Sequence, residues 1–373
     1  GFYVYTKGAP DVLMEKASGI LIGDIVDQSE QSKDNFIKVV DDYADEALRT
    51  LAVAYKKVDE EEALYGATED VEKDFILTGV AGIIDPPREE VKESIRQLHD
   101  ANINVVMITG DHEKTARAIA YDLGIVKEKN ATVLKGIDLE EMSDQELYAE
   151  VKNVNVYARV TPEHKQRIVK QLQNHQQVVA MTGDGVNDAP AIKEADIGVA
   201  MGISGTDVTK EASSMILMDD NFETIVSAVE EGRIIYDNIR KFIRYLLSCN
   251  LGEVLTMFLA TIFYLPTPML PIQILFVNLA TDGLPAIALG VDPADKDIMN
   301  QQPRSKKEGI FARGLTEKIL VRGCLIGICT LLTFIVGGLY GMDLSTCRTM
   351  ALSTLVMSQL LHVFECRSER HSI

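Results

Sequence analysis

The sequence predicts an α/β protein with a membrane α-helical part, and three observations support this fold class. Between residues 75 and 239, short β-branched runs alternate with amphipathic helical segments, which is typical of βαβ units and a parallel sheet. After residue 253, long runs contain no charged residue. These runs are longer than a soluble core helix needs, and they are long enough to cross a bilayer.

The composition excludes several classes of protein. With 46% apolar and 25% charged residues, the chain is neither disordered nor collagen-like. Its 37 Lys and Arg against 56 Asp and Glu give a net charge of -19, which argues against nucleic acid as a partner because a nucleic-acid groove is basic. Five cysteines are too few for a disulfide framework. Cations are the more natural partners of so acidic a chain.

Residues 1–79 are predicted to form a separate unit. A first strand leads through the turn KGAP into a helix from Asp11, and an acidic helix over residues 34–49 precedes a strand at residues 51–55. Residues 85–88, with the sequence DPPR, predict a stiff hinge because each proline fixes one backbone angle and restricts the residue before it. A second domain is therefore expected over residues 80–239.

Within this second domain, two strands end in the same triplet. Residues 105–108 run into TGD at 109–111 and a helix that Gly124 is expected to end. Residues 178–181 run into TGDGVND at 182–188, after which an Ala-Pro pair begins the next helix. Ligands of open parallel sheets bind at the carboxyl ends of the strands, so both triplets mark an expected site.

These strand ends carry side chains suited to phosphate chemistry. Asp184 and Asp188 lie around Asn187 on a turn, and two carboxylates there suit Mg²⁺, which binds few protein oxygens and shares its shell with phosphate and water. Thr109 supplies a hydroxyl donor at the neighbouring strand end, and Lys165 supplies a point charge that can neutralise a phosphoryl group. A lone TGD is often only a turn, but the ordered set predicts a phosphate site.

Four membrane crossings are predicted, at about residues 242–265, 270–291, 319–341 and 349–364, of which the last is the shortest. Basic residues cluster before the first crossing, between the second and third, and after the fourth. This distribution places both ends of the bundle on the cytoplasmic side. A buried helical hairpin in a soluble protein is the alternative, and three such long apolar runs argue against it.

Polar side chains recur at helical spacing in the first two crossings, namely Asn250 and Glu253 in the first and Asn278, Thr281 and Asp282 in the second. Ionisable groups at membrane depth are costly and mark functional sites, and a set of oxygen ligands with two carboxylates suits Ca²⁺. Gly283 and Pro285 are expected to break the second helix and to free backbone carbonyls for the same site. The alternative is that the Asn and Thr side chains only join helices.

Five short runs of the sequence, taken together, resemble the motifs of a known protein family. They are KGAP at residues 7–10, DPPR at 85–88, MITGD at 107–111, ARVTPEHK at 158–165 and MTGDGVNDAP at 181–190. In this order, they resemble the motifs of P-type cation-transporting ATPases. SCNLGE at residues 248–253 and VNLATDGLPA at 277–286 are similar to the fifth and sixth membrane helices of calcium pumps. The resemblance extends over nearly the whole chain.

The resemblance implies three domains. Residues 80–239 would form a haloacid-dehalogenase-like, Rossmann-like phosphorylation domain, residues 1–79 a partial nucleotide-binding domain, and residues 240–373 a four-helix portion of a transmembrane bundle. The implied cofactors are ATP and Mg²⁺, and the implied transported ion is Ca²⁺, with Mn²⁺ as an alternative. We expect an integral, multi-pass protein of a bacterial plasma membrane, with its soluble domains in the cytoplasm.

The resemblance also implies roles for individual residues. Nucleotide contacts would fall to Lys7, Arg49 and Arg159, and phosphoryl contacts to Thr109, Gly110 and Asp111. Lys165 would neutralise the phosphoryl group, and Asp184 would bind Mg²⁺ with Asn187 and Asp188 in support. The implied Ca²⁺ ligands are Asn250, Glu253, Asn278, Thr281 and Asp282.

Two departures from the family pattern matter. The run Asp-Lys-Thr-Gly-Thr, which carries the family's phosphorylated aspartate, does not occur in the sequence. We therefore expect the C-terminal part of a pump, inactive without the N-terminal part of the same protein. Gln359 stands where two-site calcium pumps have a glutamate, so one Ca²⁺ per cycle is expected.

Two other functions stay open at this stage. One is a membrane-tethered phosphatase of the dehalogenase type, without transport. It would need its own nucleophilic aspartate ahead of Thr109, and Asp85 is followed by two prolines, which have no backbone N–H to offer. The other is a regulatory fragment that binds nucleotide or Ca²⁺ without turnover.

Overall fold

The computed structural model describes residues 2–45, 48–60, 72–83 and 89–368. The chain divides into two compact units, Gly1–Thr224 and Ile225–Ile373. The predicted boundary after residue 79 falls inside the first unit and the one after residue 239 inside the second, so the three-domain division stays a prediction. The predicted hinge at residues 85–88 is outside the described part of the chain.

A five-stranded sheet forms the first part of the Gly1–Thr224 unit. Its strands are β1 (Phe2–Gly8), β2 (Ala17–Ile22), β3 (Ile25–Asp27), β4 (Arg49–Val58) and β5 (Phe75–Ile83), in the order β1-β4-β5-β2-β3. Two helices, α1 (Pro10–Glu15) and α2 (Glu30–Asp45), accompany it. Leu13 of α1 and Phe36 of α2 share a core with Ala52, Ala54 and Leu77, so both helices cover the same face of the sheet.

The acidic helix, predicted over residues 34–49, begins and ends earlier. Asp27 explains the early start, because its carboxylate accepts hydrogen bonds from Ser29 N at 2.9 Å and Ser32 Oγ at 2.5 Å and so fixes the entry to the helix. At the other end, Arg49 pairs with Ile83 in the β4–β5 ladder. Arg49, which the sequence pattern assigned to the helix, therefore belongs to the sheet.

Two three-stranded parallel sheets follow. One contains β6 (Met107–Ile108), β7 (Val133–Lys135) and β8 (Val156–Ala158) in the order β6-β8-β7, and the other contains β9 (Ala180–Gly183), β10 (Ile197–Met201) and β11 (Met215–Leu217) in the order β11-β10-β9. Every pairing in them is parallel, which confirms the predicted α/β class. The hydrogen bonds divide the expected sheet into two.

Polar side chains shorten or shift the two predicted strands that lead to the site. The strand predicted at residues 105–108 pairs only at its last two residues, because the carbonyl of Val105 accepts a 2.8 Å hydrogen bond from the Asn155 side chain. The strand predicted at residues 178–181 starts at Ala180, because the N–H of Val179 donates to the Asp196 carboxylate at 3.0 Å. Both strands still end at their TGD triplets.

The helices beside these sheets are α3 (Glu89–Asp100), α4 (Glu113–Asp122), α5 (Gly136–Glu141), α6 (Asp144–Glu150), α7 (Pro162–Asn174), α8 (Ala189–Glu194) and α9 (Asp207–Ala212). Gly124 follows α4 with φ at +78°, which confirms the predicted glycine end of that helix. Ala116 and Ala120 of α4 pack with Ile95 of α3 against Val156 of β8. The core thus lies between the helices and the parallel strands.

The second unit is helical. Its helices are α10 (Glu223–Ile262, which begins two residues before the unit), α11 (Pro271–Phe276), α12 (Gly283–Gly290), α13 (Leu315–Leu339) and α14 (Leu344–Cys366), with a π-helix at Val277–Asp282 between α11 and α12. Among the described residues, three helical segments are long and apolar enough to cross a membrane: Glu223–Ile262, Pro271–Gly290 and Leu315–Leu339. The predicted fourth crossing lies in the more polar α14 and stays a prediction.

The second crossing is widened rather than broken. Gly283 and Pro285 lie inside α12, and the helix continues through them from a π-helical turn. Pro285 has no N–H for the carbonyl four residues earlier, which belongs to Thr281. That carbonyl instead accepts a 2.8 Å hydrogen bond from the Tyr245 hydroxyl of α10. The predicted free carbonyl exists, but a neighbouring helix satisfies it.

Glycines allow α10 and α13 to approach closely. The hydroxyl of Thr256 donates to Gly252 O at 2.8 Å in its own helix and to Gly327 O at 3.2 Å in α13. A Cβ added at Gly327 would lie 2.8 Å from Gly252 O, which is too close for any side chain. The crossing of these helices therefore requires a small residue at Gly327.

Gly327→Val should destabilise the Ile225–Ile373 unit, called the membrane unit below, because the added side chain forces α10 and α13 apart. Overpacking of this kind costs about 1–3 kcal/mol and lowers the thermal unfolding temperature of the detergent-solubilised protein. Gly338→Val is the matched control, since it lies on the same helix and an added Cβ meets no atom within 4 Å. Equal unfolding temperatures for the two variants would contradict the close helix crossing.

Candidate functional site

Helix α7 places Lys165 beside the end of β9. Thr161 accepts a 3.4 Å hydrogen bond from His164 N and Pro162 occupies the first turn, so these two residues fix the start of the helix. The ammonium of Lys165 donates to Asp188 Oδ1 at 2.6 Å, and both side chains are largely buried. The structure thus brings together two of the predicted catalytic residues.

Asp188 is held by the turn that contains it. Its other oxygen, Oδ2, accepts a 3.1 Å hydrogen bond from Gly185 N. A Cβ added at Gly183 would lie 2.4 Å from the Cβ of Asp188, so this turn can only form with glycine at residue 183. Both carboxylate oxygens therefore have partners, and a charge-assisted hydrogen bond fixes the position of Lys165.

Asp184 is the carboxylate of this turn that stays open for a metal. Its backbone carbonyl accepts hydrogen bonds from Thr206 N at 2.9 Å and Thr209 Oγ1 at 3.1 Å, while its side chain is exposed, as is that of Asn187. One carboxylate and one amide fit Mg²⁺, which takes the rest of its shell from phosphate and water. Within the described ranges, no group of three or more His, Cys, Asp or Glu side chains forms a metal cage.

The TGD turn after β6 is closed by its own side chains. Thr109 Oγ1 donates to Asp111 Oδ2 at 2.9 Å and accepts from Asp111 N at 3.1 Å. The N–H of Thr109 donates to Tyr157 O in β8 at 2.9 Å, which anchors the turn to the sheet. Gly110 is exposed, and an added Cβ would meet no atom within 4 Å, so the tip of the turn is accessible to a phosphate.

Arg159, which follows β8, has a left-handed backbone with φ at +49°, uncommon outside glycine. Its guanidinium donates to Asp11 at 3.2 Å. Burial acts to raise the pKa of Asp11, but hydrogen bonds from Arg159 and from Val12 N hold that pKa below its ordinary value. Burial, together with the charge of Arg159, lowers the pKa of His112, which is therefore neutral at pH 7.

The predicted nucleotide residues lie on two faces of the structure. Gly110, Asp111 and Arg159 line a cleft of about 450 Å³, whose apolar wall includes Phe36 of α2. Lys7 is exposed and pairs with Val53, which alternates with the residues beneath α2, so it faces away from this cleft. The side chain of Arg49 is outside the described part of the chain.

The membrane unit brings two predicted cation ligands to one side chain. Glu253 on α10 and Asp282 at the end of the π-helix are 5% and 1% exposed. The amide of Gln359, fully buried on α14, donates to Glu253 Oε1 at 3.0 Å and to Asp282 Oδ2 at 3.3 Å. The other oxygen of Asp282 is buried and finds no hydrogen-bond partner among the described residues. Two carboxyl groups this close together in a low-dielectric interior favour a bound cation, because their ionised forms repel each other.

The remaining predicted cation ligands divide into two groups. Thr281 lies at the site, and its hydroxyl is 3.4 Å from Gln359 Oε1. Asn250 and Asn278 are exposed, so this structure does not bring them to the buried carboxylates. Residues three apart on a helix differ by about 60° around its axis, which is enough to bury Glu253 and expose Asn250.

The predicted ligand set omits two side chains that contact this site, Gln359 and Tyr245. The sequence marks Gln359 only as a departure from a family pattern, since an amide in an apolar helix does not reveal its partners. Tyr245 could be inferred only in part, because Pro285 predicts an unsatisfied carbonyl but not the donor that reaches it. Both contacts depend on the packing of helices far apart in the sequence.

Two known families match the chain. Residues 266–373 match the family described as "Cation transporting ATPase, C-terminus". Residues 11–196 match the family described as "haloacid dehalogenase-like hydrolase". The first match contains Asp282 and Gln359, and the second contains both TGD turns and Lys165.

Several known proteins are similar to this chain over nearly its whole length. The calcium-transporting ATPase of Bacillus subtilis (strain 168) is 53% identical over 371 residues, which are 98% of this chain and 41% of that protein. Calcium-transporting ATPase 1 of Lactococcus lactis subsp. lactis (strain IL1403) is 45% identical over 371 residues, 99% of this chain and 42% of that protein. Calcium-transporting ATPase 1 of Bacillus cereus (strain ATCC 10987 / NRS 248) is 46% identical, and the match covers 43% of it. The chain spans about two fifths of the length of these relatives.

Gly183→Ala should displace Asp188 from Lys165, because the new methyl group takes the space of the Asp188 side chain. We expect a loss of about 1–3 kcal/mol in unfolding free energy, measured by thermal denaturation. Gly185→Ala is the control, since its Cβ would meet Asp188 Oδ2 at an ordinary 3.5 Å. An equal effect of the two substitutions would show that the turn tolerates a side chain at residue 183.

Proposed function

Because the chain belongs to the cation-transporting ATPase family, we propose that it supplies the phosphate site and part of the cation site of an ATP-driven calcium pump. The observation that carries this proposal is the buried pair of Glu253 and Asp282, bridged by the Gln359 amide. Carboxylates at membrane depth are costly, and a bound cation is the physical reason to keep them. The names of the relatives favour Ca²⁺, and Mn²⁺ is the alternative cargo.

At the phosphate site, each side chain has a proposed role. Asp184 would hold Mg²⁺ with Asn187 in support, and the ion, when bound, would neutralise phosphate charge. Asp188 keeps Lys165 in place, so its ammonium can stabilise negative charge on a phosphoryl group. The Thr109-Gly110-Asp111 turn offers an accessible tip for the same group. The proposed acceptor is an aspartate outside these 373 residues, which makes the mechanism one of aspartyl phosphorylation.

ATP is the proposed phosphoryl donor. Arg159 lines the cleft with a positive charge, and a nucleotide phosphate that binds it would compete with Asp11 for the guanidinium. Lys7, on a face of the sheet that the cleft does not include, and Arg49 are the other proposed nucleotide residues. Residues 1–79 would then be nucleotide-binding and residues 80–239 the phosphorylation domain.

The proposed location is a bacterial plasma membrane, with the phosphate site in the cytoplasm and the remaining part of the pump as partner. Transport requires that the phosphorylated and unphosphorylated states differ in their affinity for Ca²⁺. A membrane-tethered phosphatase has no such requirement and gives no reason to bury Glu253 and Asp282. The cation pair therefore favours transport over that alternative, and over a regulatory role without turnover.

Uptake of radiolabelled Ca²⁺ into sealed vesicles containing the full-length pump tests this proposal. We expect uptake that requires both ATP and Mg²⁺, with added Mn²⁺ reducing it if the two ions share the site. Vesicles with Lys165→Met, which removes the charge at the phosphate site, serve as the control and should take up no Ca²⁺ above background. Mg²⁺-dependent phosphatase activity without any Ca²⁺ uptake would favour the tethered phosphatase.

Asp282→Asn should abolish the activation of ATP hydrolysis by Ca²⁺ in the full-length pump, because it removes one of two buried charges while keeping the side-chain shape. Asp343→Asn is the matched control in the same unit. Asp343 caps α14 by accepting a 3.2 Å hydrogen bond from Thr346 N, and asparagine can replace it as a cap. Unchanged Ca²⁺ activation in Asp282→Asn would remove the cation assignment.

A further inference from the structure

His112 lines the cleft of the Gly1–Thr224 unit, and the proposed function gives it no role. Helix α2 contributes Phe36, Ile37 and Val40 to the same cleft, and their side chains offer no hydrogen bonds. The polar atoms of a bound ligand would therefore depend on other lining groups, among them His112 and Arg159. The hydrogen-bonding state of the imidazole decides which ligand atoms it can serve.

The backbone fixes which nitrogen of this imidazole carries the proton. His112 caps α4, because its Nδ1 accepts a 3.3 Å hydrogen bond from Lys114 N. A ring nitrogen accepts a hydrogen bond only when it carries no proton, so the proton of the neutral imidazole is on Nε2. Among the described residues, none accepts a hydrogen bond from this Nε2–H. The cleft therefore has an uncharged donor available for a ligand.

The cations near His112 already have carboxylate partners. Arg159 pairs with Asp11 at 3.2 Å, and all four side chains of the two ion pairs are partly exposed. Lys114 pairs with Asp41 at 2.9 Å. A phosphate offers a guanidinium more acceptor oxygens than a carboxylate does, so it can compete with Asp11 for Arg159. His112 requires no such exchange before its Nε2–H binds the same anion.

Capping of α4 does not by itself call for an imidazole. Ser, Thr, Asp and Asn are the preferred N-cap residues, and Ser143 and Thr161 cap other helices of the same unit. The acceptor of these short side chains lies close to the backbone. An imidazole has two nitrogens on opposite sides of the ring, so His112 can cap the helix with Nδ1 and bind a ligand with Nε2.

We propose that His112 is a nucleotide-binding residue whose Nε2–H donates a hydrogen bond to a phosphate oxygen of a nucleotide in the cleft. This role rests on the proposed ATP-driven function and adds a residue that recognises the phosphate. A hydrogen bond to an ionised acceptor is stronger than one between neutral groups, so a neutral imidazole suffices as the donor. The competing explanation is that His112 only caps α4.

The test is equilibrium binding of the non-hydrolysable ATP analogue AMP-PNP to the full-length pump in detergent. His112→Ser keeps an oxygen that can cap α4 but removes the Nε2–H, and we expect about tenfold weaker binding. His112→Asn keeps a cap oxygen and supplies an amide N–H, so it should bind more tightly than His112→Ser. His99→Asn is the control, because His99 is exposed on α3 and is not among the residues that line the cleft. It should bind AMP-PNP like the wild type.

Two further measurements separate a phosphate contact from a structural role. The thermal unfolding temperature of His112→Ser should equal that of the wild type, because serine also caps helices. Adenosine lacks the phosphates, so its affinity, measured by competition with labelled AMP-PNP, should be the same in both proteins. Wild-type affinity of His112→Ser for AMP-PNP, or an equal loss for adenosine and AMP-PNP, would overturn the phosphate contact while leaving the proposed pump function. Failure of the wild type to bind AMP-PNP would instead overturn the nucleotide assignment and this inference with it.

Discussion

The membrane unit is organised around two buried carboxylates that have a neutral amide between them. Transfer of an ion from water to a protein interior costs several kcal/mol, about as much as a whole domain's margin of stability. Hydrogen bonds from Gln359 recover only part of this cost for Glu253 and Asp282. The packing of the surrounding helices must supply the rest, and the site gains a strong preference for positive charge.

The backbone around the site reflects the same constraint. Pro285 removes a hydrogen bond from the second crossing, and the wider π-turn at Val277–Asp282 lets Asp282 point into the interior. The Tyr245 hydroxyl satisfies the freed carbonyl of Thr281. Glycines at the contact of α10 and α13 bring neighbouring helices close to the site. Each departure from a regular helix therefore has a compensating contact on another helix.

Short-range sequence signals made many helix and strand ends of this fold predictable. Thr161 and Pro162 indicate a helix start, Gly124 indicates a helix end, and β-branched runs before the TGD triplets indicate parallel strands, because these signals act over a few residues. The shortening of the strand at Met107 was harder to predict from the sequence. The Asn155 side chain that takes the Val105 carbonyl as its hydrogen-bond acceptor lies 50 residues away in sequence. Gln359 is more than 100 residues from Glu253, and only the packed helices bring them together.

The two carboxylate sites of the chain differ in how their charge is balanced. Asp188 has a permanent cation, since Lys165 lies at 2.6 Å and a backbone N–H holds its second oxygen. That arrangement fixes geometry and has no need of another positive charge. Glu253 and Asp282 instead share hydrogen bonds from the neutral amide of Gln359, and one oxygen of Asp282 has no partner among the described residues. Under the proposed function, a site that binds and releases a cation requires the second arrangement, because a resident ammonium would compete with the cargo. The proposal thus gives aspartate a fixed partner at the phosphate site and an exchangeable one in the membrane.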